Sequence, residues 1–270
     1  MGITMLSLRQ EICVLCRIEP FRYPYAFHAI RVFQNLNPFR LRERIEIDCV
    51  TEPDGIGSSD EEDCFFVTDS EEQCVWKIAR LTCEHQKFID LQATHFPHRP
   101  KLTVNCNGQE LLILALRSLY IFRTFRPEGV AQKPLLIVQL PSDIENPLHA
   151  VETSSGHFII LHSLEEVDDE TADSNKKEKK RIFTVSKLTR DGRLVVRRFI
   201  PQNKTQELTY PSYLALDSDN RIFLLDQGNV QIILLDSDLS WIQVLCSTKD
   251  EDKGISMPHR LCFDKVNRLV

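Results

Sequence analysis

The sequence has no apolar run long enough to cross a membrane, and its first residues do not resemble a secretory signal. Its most apolar stretch, residues 111–122, contains Arg117 and is shorter than the ~20 residues that span a bilayer. The apolar start of the chain is broken by Arg9 and Glu11, and no basic segment precedes it. We therefore predict a protein without a membrane segment that resides in the cytoplasm or the nucleus.

The cysteines lack the spacing of a disulfide framework. There are nine, an odd number, scattered from Cys13 to Cys262, and this favours reduced thiols in an intracellular protein. Cys13 and Cys16 could supply two zinc ligands, but a structural site needs four and no second such pair follows. We therefore predict no bound metal ion.

The motifs of common enzyme classes are also absent. The chain has no phosphate-binding loop, no His-Glu-x-x-His zinc motif and no Gly-x-Ser-x-Gly nucleophile turn. Gly55 and Gly57 lack the third glycine of a dinucleotide fingerprint. A net charge of −6 argues against a protein-wide attraction to nucleic acid. From these absences we expect a protein that is not an enzyme and that uses no cofactor.

What the sequence does contain is a hidden repeat, marked by proline. The intervals from Pro53 to Pro100, Pro100 to Pro147 and Pro211 to Pro258 are each 47 residues (100 − 53, 147 − 100 and 258 − 211). The remaining interval, Pro147 to Pro211, is longer by 17 residues (64 − 47). It contains the polar segment 164–181, which cannot bury enough apolar surface to order itself. We predict a disordered insertion over 164–181.

Each proline is followed by the same order of short apolar segments. After Pro211 they are residues 213–216, 222–225, 230–235 and 241–245, separated by Asp, Asn, Ser and Gly turns. Runs of Val, Ile, Leu and Phe that end at turn residues, without spacing at 3.6, exclude a helical repeat. Units of about 47 residues with four antiparallel strands are typical of β-propeller blades. The fold predicted is all-β.

The unit over residues 211–236 resembles the NHL-repeat propellers. The resemblance rests on a proline, a strand, a polar turn and a second strand that ends in Asp69 or Asp226, and it extends from Pro53 to the end of the chain. Ala115 and His162 replace that Asp in two other units. The resemblance implies a turn-stabilising role for the Asp residues. It also implies a six-bladed type of propeller, and a place in ubiquitin ligases as the module that selects the substrate.

The predicted domain boundaries follow from these units. Residues 27–270 form the propeller, with blades that start near residues 53, 100, 147, 211 and 258, and residues 1–26 are left without an assignment. Residues 28–47 look like the outer two strands of an earlier blade. About five blades are represented. One alternative is that the two partial blades join as one composite blade and close a five-bladed ring, but the ragged edge of the last one favours an incomplete stretch of a six-bladed ring.

The residues after each proline begin the innermost strand and are expected to line the channel rim. One carboxylate among basic and aromatic groups does not make a calcium site, so we interpret the rim as a surface for polar contacts with a partner. The predicted rim residues are Asp54, Lys101, His149, Tyr213, His259 and Arg260.

RNA binding is an alternative prediction, because arginines are interleaved with aromatic residues in several strands. These arginines are Arg117, Arg123, Arg126, Arg197 and Arg198, among Tyr120, Phe122, Phe125 and Phe199. The basic run at residues 176–181 follows an acidic run that neutralises it.

The leading functional prediction is a non-catalytic scaffold that recruits a protein partner or substrate, linked to ubiquitin-dependent turnover. Propellers present loops on a rigid disc, and specificity resides in such loops. A metal-dependent hydrolase or lyase of the six-bladed kind is the remaining alternative.

Overall fold

The computed structural model describes residues 2–6, 11–18, 27–34, 40–91, 103–107, 109–125, 132–165, 181–196 and 207–247. All regular secondary structure in these segments is β-strand. No helix in this part of the chain is long and apolar enough to cross a membrane. The strands form five sheets of four antiparallel strands each, and within every sheet consecutive strands are neighbours. The all-β prediction is confirmed.

The chain divides into two structural units, of which the first comprises residues 1–138 and 260–270. It contains three of the sheets. The first sheet is β1 (Gly2–Leu6), β2 (Glu11–Ile18), β3 (Phe27–Gln34) and β4 (Arg40–Ile47). The second is β5 (Pro53–Ser59), β6 (Cys64–Asp69), β7 (Cys74–Ala79) and β8 (His85–Asp90). The third is β9 (Thr103–Asn107), β10 (Glu110–Ala115), β11 (Ser118–Arg123) and β12 (Leu136–Gln139).

The second unit comprises residues 139–259 and contains the other two sheets. One is β13 (Pro147–Glu152), β14 (Phe158–Glu165), β15 (Arg181–Leu188) and β16 (Leu194–Val196). The other is β17 (Pro211–Leu216), β18 (Ile222–Asp226), β19 (Gln231–Leu235) and β20 (Trp241–Ser247). The bounds of β17 to β20 agree with the strands predicted after Pro211 to within two residues at each end.

Within each unit, the first strand of one sheet packs against the first strand of the next sheet. In the first unit β1 contacts β5 and β5 contacts β9, and in the second unit β13 contacts β17. Between the sheets lie clusters of buried side chains contributed by alternate strand positions, as a pleated sheet with both faces covered requires. One cluster joins the first two sheets through Ile45, Ile56 and Phe65. Another joins the two sheets of the second unit through Ile159 and Leu224.

The N-terminal segment that the sequence left unassigned contains two strands. β1 pairs with β2 from Gly2 opposite Leu15 to Leu6 opposite Glu11, and β2 continues into a pairing with β3. Residues 28–47 are therefore the outer half of a sheet whose inner half lies within residues 1–26. The inner strands were missed because no proline opens β1 and no Gly, Asn or Asp marks the β1–β2 turn, the usual signals of a blade start and a hairpin.

Strands β14 and β15 include the two ends of the segment predicted as an insertion. Leu164 pairs with Ile182 and Glu165 with Arg181 at the end of the β14–β15 ladder. Backbone hydrogen bonding between paired strands extends past the last apolar side chain, since ladder bonds do not depend on side-chain type. The strands thus include both ends of the predicted segment, and residues 166–180 lie outside the described residues.

The second unit repeats one hairpin turn four times. Each turn begins with a Thr or Asp whose backbone N–H donates to the carbonyl of the residue four positions later. The side-chain oxygen of the same Thr or Asp accepts a hydrogen bond from the backbone N–H of that later residue. Examples are Thr153 with His157 and Asp217 with Arg221. The fourth residue has positive φ in every case: Gly156 at 76°, Gly192 at 85°, Asn220 at 59° and Leu239 at 67°. A type I turn followed by a left-handed residue is a common three-residue hairpin loop.

Val230 occupies a left-handed position that disfavours its side chain. Its φ is 46°, and a β-branched residue loses about 1 to 2 kcal/mol there. We expect Val230→Asn to raise the free energy of unfolding by about 1 kcal/mol, because Asn tolerates this conformation and Val230 is only partly buried. Urea unfolding of both proteins measures the change. An equal or lower unfolding midpoint in the variant would contradict the strain at this turn.

Candidate functional site

Two buried carboxylates organise the loops that enter the innermost strands. Asp226, fully buried at the end of β18, accepts hydrogen bonds from the backbone N–H groups of Thr209 (3.1 Å) and Tyr210 (2.8 Å). It also accepts from the side chains of Asn229 (2.7 Å) and Gln231 (3.4 Å). A carboxylate with this many donors fixes the loop in front of β17 in one conformation.

Asp69 does the same in the first unit. It is fully buried at the end of β6 and accepts from the backbone N–H groups of Thr51 (2.7 Å) and Glu52 (3.2 Å), which precede β5. The N–H groups of Glu71 (3.1 Å) and Glu72 (3.2 Å) donate to the same oxygen, Oδ1. Both Asp residues therefore stabilise a turn and a strand entry, which is the role that the resemblance implied.

His162 takes the equivalent place in the β13–β14 hairpin. In all three hairpins a proline pairs across the ladder with this residue: Pro53 with Asp69, Pro147 with His162 and Pro211 with Asp226. His162 is fully buried, and its Nε2 lies 2.9 Å from the Ser186 hydroxyl. The imidazole at this position is thus bonded to the neighbouring strand β15, whereas the carboxylates of Asp69 and Asp226 are bonded to the loops that enter β5 and β17.

The residue after each of these prolines lies in a register shift of the innermost strand. The shifts fall between Pro53 and Gly55, between Pro147 and His149, and between Pro211 and Tyr213, at Asp54, Leu148 and Ser212. A bulge bends a strand and re-aims its side chains, and bulges are frequent beside functional sites. Of the rim residues predicted from sequence, Asp54, His149 and Tyr213 therefore lie at the irregular starts of these strands.

The second unit brings two predicted rim residues together. The rings of His149 and Tyr213 have centroids 4.0 Å apart, and the Leu214 N–H donates to His149 Nδ1 at 3.4 Å. His149 is only 1% exposed, so its imidazole is not accessible to a ligand in this arrangement. Asp54 is partly buried in the first unit, and Lys101, His259 and Arg260 lie outside the described residues. Their joint role as a binding ring remains a prediction.

The sequence reading missed Tyr210, the residue immediately before β17. Its side chain is 60% exposed, while its N–H donates to Asp226 and its carbonyl accepts the Gln227 N–H at 3.0 Å. Its ring meets Phe183 edge to face, with centroids 6.4 Å apart. The available signal was its position directly before Pro211, where the chain enters a strand.

The strand-entry loop 207–210 carries Tyr210 on a fixed backbone. Leu208 is buried in the core of the second unit. Asn229 donates to the Glu207 carbonyl at 2.9 Å, and the Thr209 hydroxyl donates to Asn229 at 3.0 Å. Every residue of this loop is held by a hydrogen bond or by burial, so its exposed aromatic ring needs little ordering when a partner binds.

The predicted RNA-contact residues do not form a patch where they are described. Arg117 and Arg123 are exposed but flank opposite ends of β11, about 20 Å apart at the usual rise per residue. Of the interleaved aromatic residues, Phe125 is exposed, whereas Tyr120 is 8% exposed and Phe122 only 1%, which removes these two as stacking platforms. Arg126, Arg197, Arg198 and Phe199 lie outside the described residues.

Metal-ligating side chains converge at one place among the described residues, in the first unit. Asp48, Cys49 and His85 each offer a ligand atom, and these atoms lie within 4.8 Å of one another. The buried thiols Cys64 and Cys74 are different, because burial raises each pKa to about 12 and leaves them protonated in the core.

Comparison with known proteins identifies the fold but no family. No protein-family model and no curated protein matches the chain. Among solved structures, the chain is similar to the hydrazine synthase of Kuenenia stuttgartiensis, with a TM-score of 0.62 and 10% identity over 97% of this chain and 89% of that one. It is also similar to a chain of the nidogen/laminin complex, with a TM-score of 0.57 and 13% identity over 100% of this chain and 82% of that one.

These similarities correct the expectation that the chain is not an enzyme. A further similar structure is a streptogramin B lyase, with a TM-score of 0.52 and 12% identity over 84% of this chain and 71% of that one. Several of the similar structures are enzymes, so the absence of familiar sequence motifs was no ground for excluding catalysis. At 10 to 14% identity the likeness shows the fold alone. The chain is an all-β protein with the β-propeller fold.

Proposed function

We propose that the chain is a partner-binding propeller that recognises a protein through Tyr210 and the strand-entry loop 207–210. The observation that carries the proposal is an aromatic side chain, 60% exposed, on a backbone held by a fully buried carboxylate. Tyrosine is enriched among residues that dominate interface energies, because it combines a large apolar area with one polar group and few rotatable bonds.

The surroundings of Tyr210 suit a protein interface. Thr209 and Asn229 are exposed polar neighbours, and Phe183 backs the tyrosine ring from below. An aromatic anchor with a polar rim is the usual composition of such a surface. One of the similar propellers comes from a complex of two proteins, nidogen and laminin, which supports partner recognition as a use of this fold.

The narrower form of the proposal is substrate selection for ubiquitin-dependent turnover, as in the NHL-repeat propellers. It rests on the proline, the second strand and the terminal Asp of two blades, Asp69 and Asp226, whose carboxylates hold the strand entries. A substrate-selecting propeller needs rigid entry loops of this kind, since specificity depends on presenting side chains in a fixed arrangement.

We expect Tyr210→Ala to weaken partner binding at least about tenfold, because it removes the aromatic anchor and leaves the loop in place. The partner is first captured by a photoreactive benzoylphenylalanine at position 210, and its affinity is then measured against both proteins. Phe125→Ala is the matched control, since Phe125 is also 60% exposed but lies in the other unit. Equal affinities for wild type and Tyr210→Ala would refute the proposed surface.

A second candidate function is catalysis on a small molecule at the start of β13 and β17. It is favoured by a buried imidazole, that of His149, packed on the Tyr213 ring, and by the enzymes among the similar propellers. The Leu214 N–H donates to Nδ1, which leaves Nε2 to carry the proton of the neutral ring. Hydrolysis of an ester or lactone by the purified chain, lost in His149→Ala, is the result that would support this candidate over partner binding alone.

A further inference from the structure

The first unit places three different metal-ligating groups at one point outside the strand-entry loops. Asp48 and Cys49 follow β4, on the segment that leads into β5, and His85 is the first residue of β8. The carboxylate, the thiol and the imidazole come from positions 36 residues apart (85 − 49), and their ligand atoms lie within 4.8 Å of one another. Folding, and not a local motif, brings them together.

The type of donor selects the metal. Calcium and magnesium prefer sites made of oxygen alone, whereas a thiolate with an imidazole and a carboxylate suits zinc. Around a tetrahedral zinc ion, neighbouring ligand atoms are about 3.4 to 3.7 Å apart. Asp48 and His85 are exposed, so their side chains can rotate the remaining distance of about 1 Å without repacking the core.

Neighbouring side chains pack against two of the three ligands. The Trp76 ring meets the His85 ring edge to face, with centroids 5.8 Å apart, and both Trp76 and Cys49 pack against the apolar cluster of the first two sheets. Burial and the nearby Asp48 raise the pKa of the Cys49 thiol to about 11, so without a metal it is a poor nucleophile. Lys87, the cation on the Trp76 ring, is paired with Glu72 at 3.4 Å.

We propose that Asp48, Cys49 and His85 bind a zinc ion and leave its fourth position to water. The bound ion joins the segment between β4 and β5 to β8, and therefore links the first sheet to the second. Three protein ligands with one open position is also the arrangement of zinc sites that activate water. The proposal is independent of Tyr210 and loop 207–210, which lie in the other unit.

Cobalt(II) in place of zinc tests the ligand set directly. We expect one equivalent to give a thiolate-to-cobalt absorption band in wild type and in Cys83→Ser, which removes an exposed thiol two residues before His85. Cys49→Ser should lose the band, and competition with zinc should show at least about 100-fold weaker binding in Cys49→Ser and in His85→Asn. A band that persists in Cys49→Ser, or that disappears in Cys83→Ser, would overturn the assignment.

Two further measurements separate this site from binding elsewhere. In a Trp241→Phe background, Trp76 is the sole tryptophan of the chain, and cobalt at His85 should quench its fluorescence. Zinc should also raise the melting temperature of wild type but not of His85→Asn, because only the folded site binds the ion. Loss of cobalt binding in a Cys13→Ser/Cys16→Ser variant, with binding kept in Cys49→Ser, would place the metal at β2 and refute the proposal.

Discussion

Asp226→Asn is expected to lower the free energy of unfolding by about 3 kcal/mol. The carboxylate accepts four hydrogen bonds from Thr209, Tyr210, Asn229 and Gln231, and it is fully buried. The amide has nearly the same shape but turns an NH₂ group toward donors. Buried N–H groups then lose their acceptor, and each costs about 1 to 3 kcal/mol. Urea denaturation, followed through Trp241 in the second unit, measures the loss of stability.

Asp219→Asn is the matched control for this substitution. Asp219 is 70% exposed in the β17–β18 turn and makes a 3.7 Å ion pair with Arg221. Exposed pairs of this kind contribute at most about 1 kcal/mol, so the control should unfold near the wild-type midpoint. If Asp226→Asn were as stable as Asp219→Asn, the carboxylate would not be the element that holds the entry to β17.

Gly228→Ala is expected to cost about 2 to 3 kcal/mol of stability, because the new methyl group has no space. A Cβ at Gly228 would lie 2.8 Å from both Cβ and Cγ2 of Thr209 and 2.9 Å from the Tyr210 backbone nitrogen. The backbone nitrogen cannot move without breaking its bond to Asp226. The substitution should therefore both destabilise the second unit and shift loop 207–210, which thermal unfolding and partner affinity measure separately.

Gly156→Ala is the comparison for Gly228→Ala, because it introduces backbone strain without crowding. Gly156 has φ of 76° and no atom within 4 Å of the position of a Cβ. Alanine there should cost only about 1 kcal/mol, the penalty of a left-handed conformation. A Gly228→Ala protein no less stable than Gly156→Ala would show that Thr209 and Tyr210 are not packed closely against this turn.

Most strands of the second unit could be predicted from the sequence, because the residues that mark their ends are close to them in the chain. Asp, Asn and Gly turns bound β17 to β20, and Pro211 marks the entry to the first of them. Two of the four strands of the N-terminal sheet were not predicted, since no proline precedes β1 and no Asp, Asn or Gly marks the turn between β1 and β2. Strand register, which places Gly2 opposite Leu15, depends on pairing that composition alone does not encode.

The candidate sites were harder to predict because they depend on contacts between distant residues. Tyr210 is held by Asp226, 16 residues later, and its ring contacts Phe183, which lies in another sheet of the second unit. His149 was expected at an exposed rim, but it is buried and its ring packs on that of Tyr213. Cys49 and His85 share no motif spacing, and only the path of the chain from β4 to β5 brings them together.

The most direct test of partner binding through loop 207–210 is a pull-down from cell extract with the purified chain, eluted in steps of rising salt, with and without ribonuclease. Wild type, Tyr210→Ala and Phe125→Ala are compared after each is shown to be folded. We predict protein partners that resist ribonuclease, that are retained by wild type and Phe125→Ala, and that are lost from Tyr210→Ala. Partners that disappear with ribonuclease, or that bind Tyr210→Ala as well as wild type, would contradict the account.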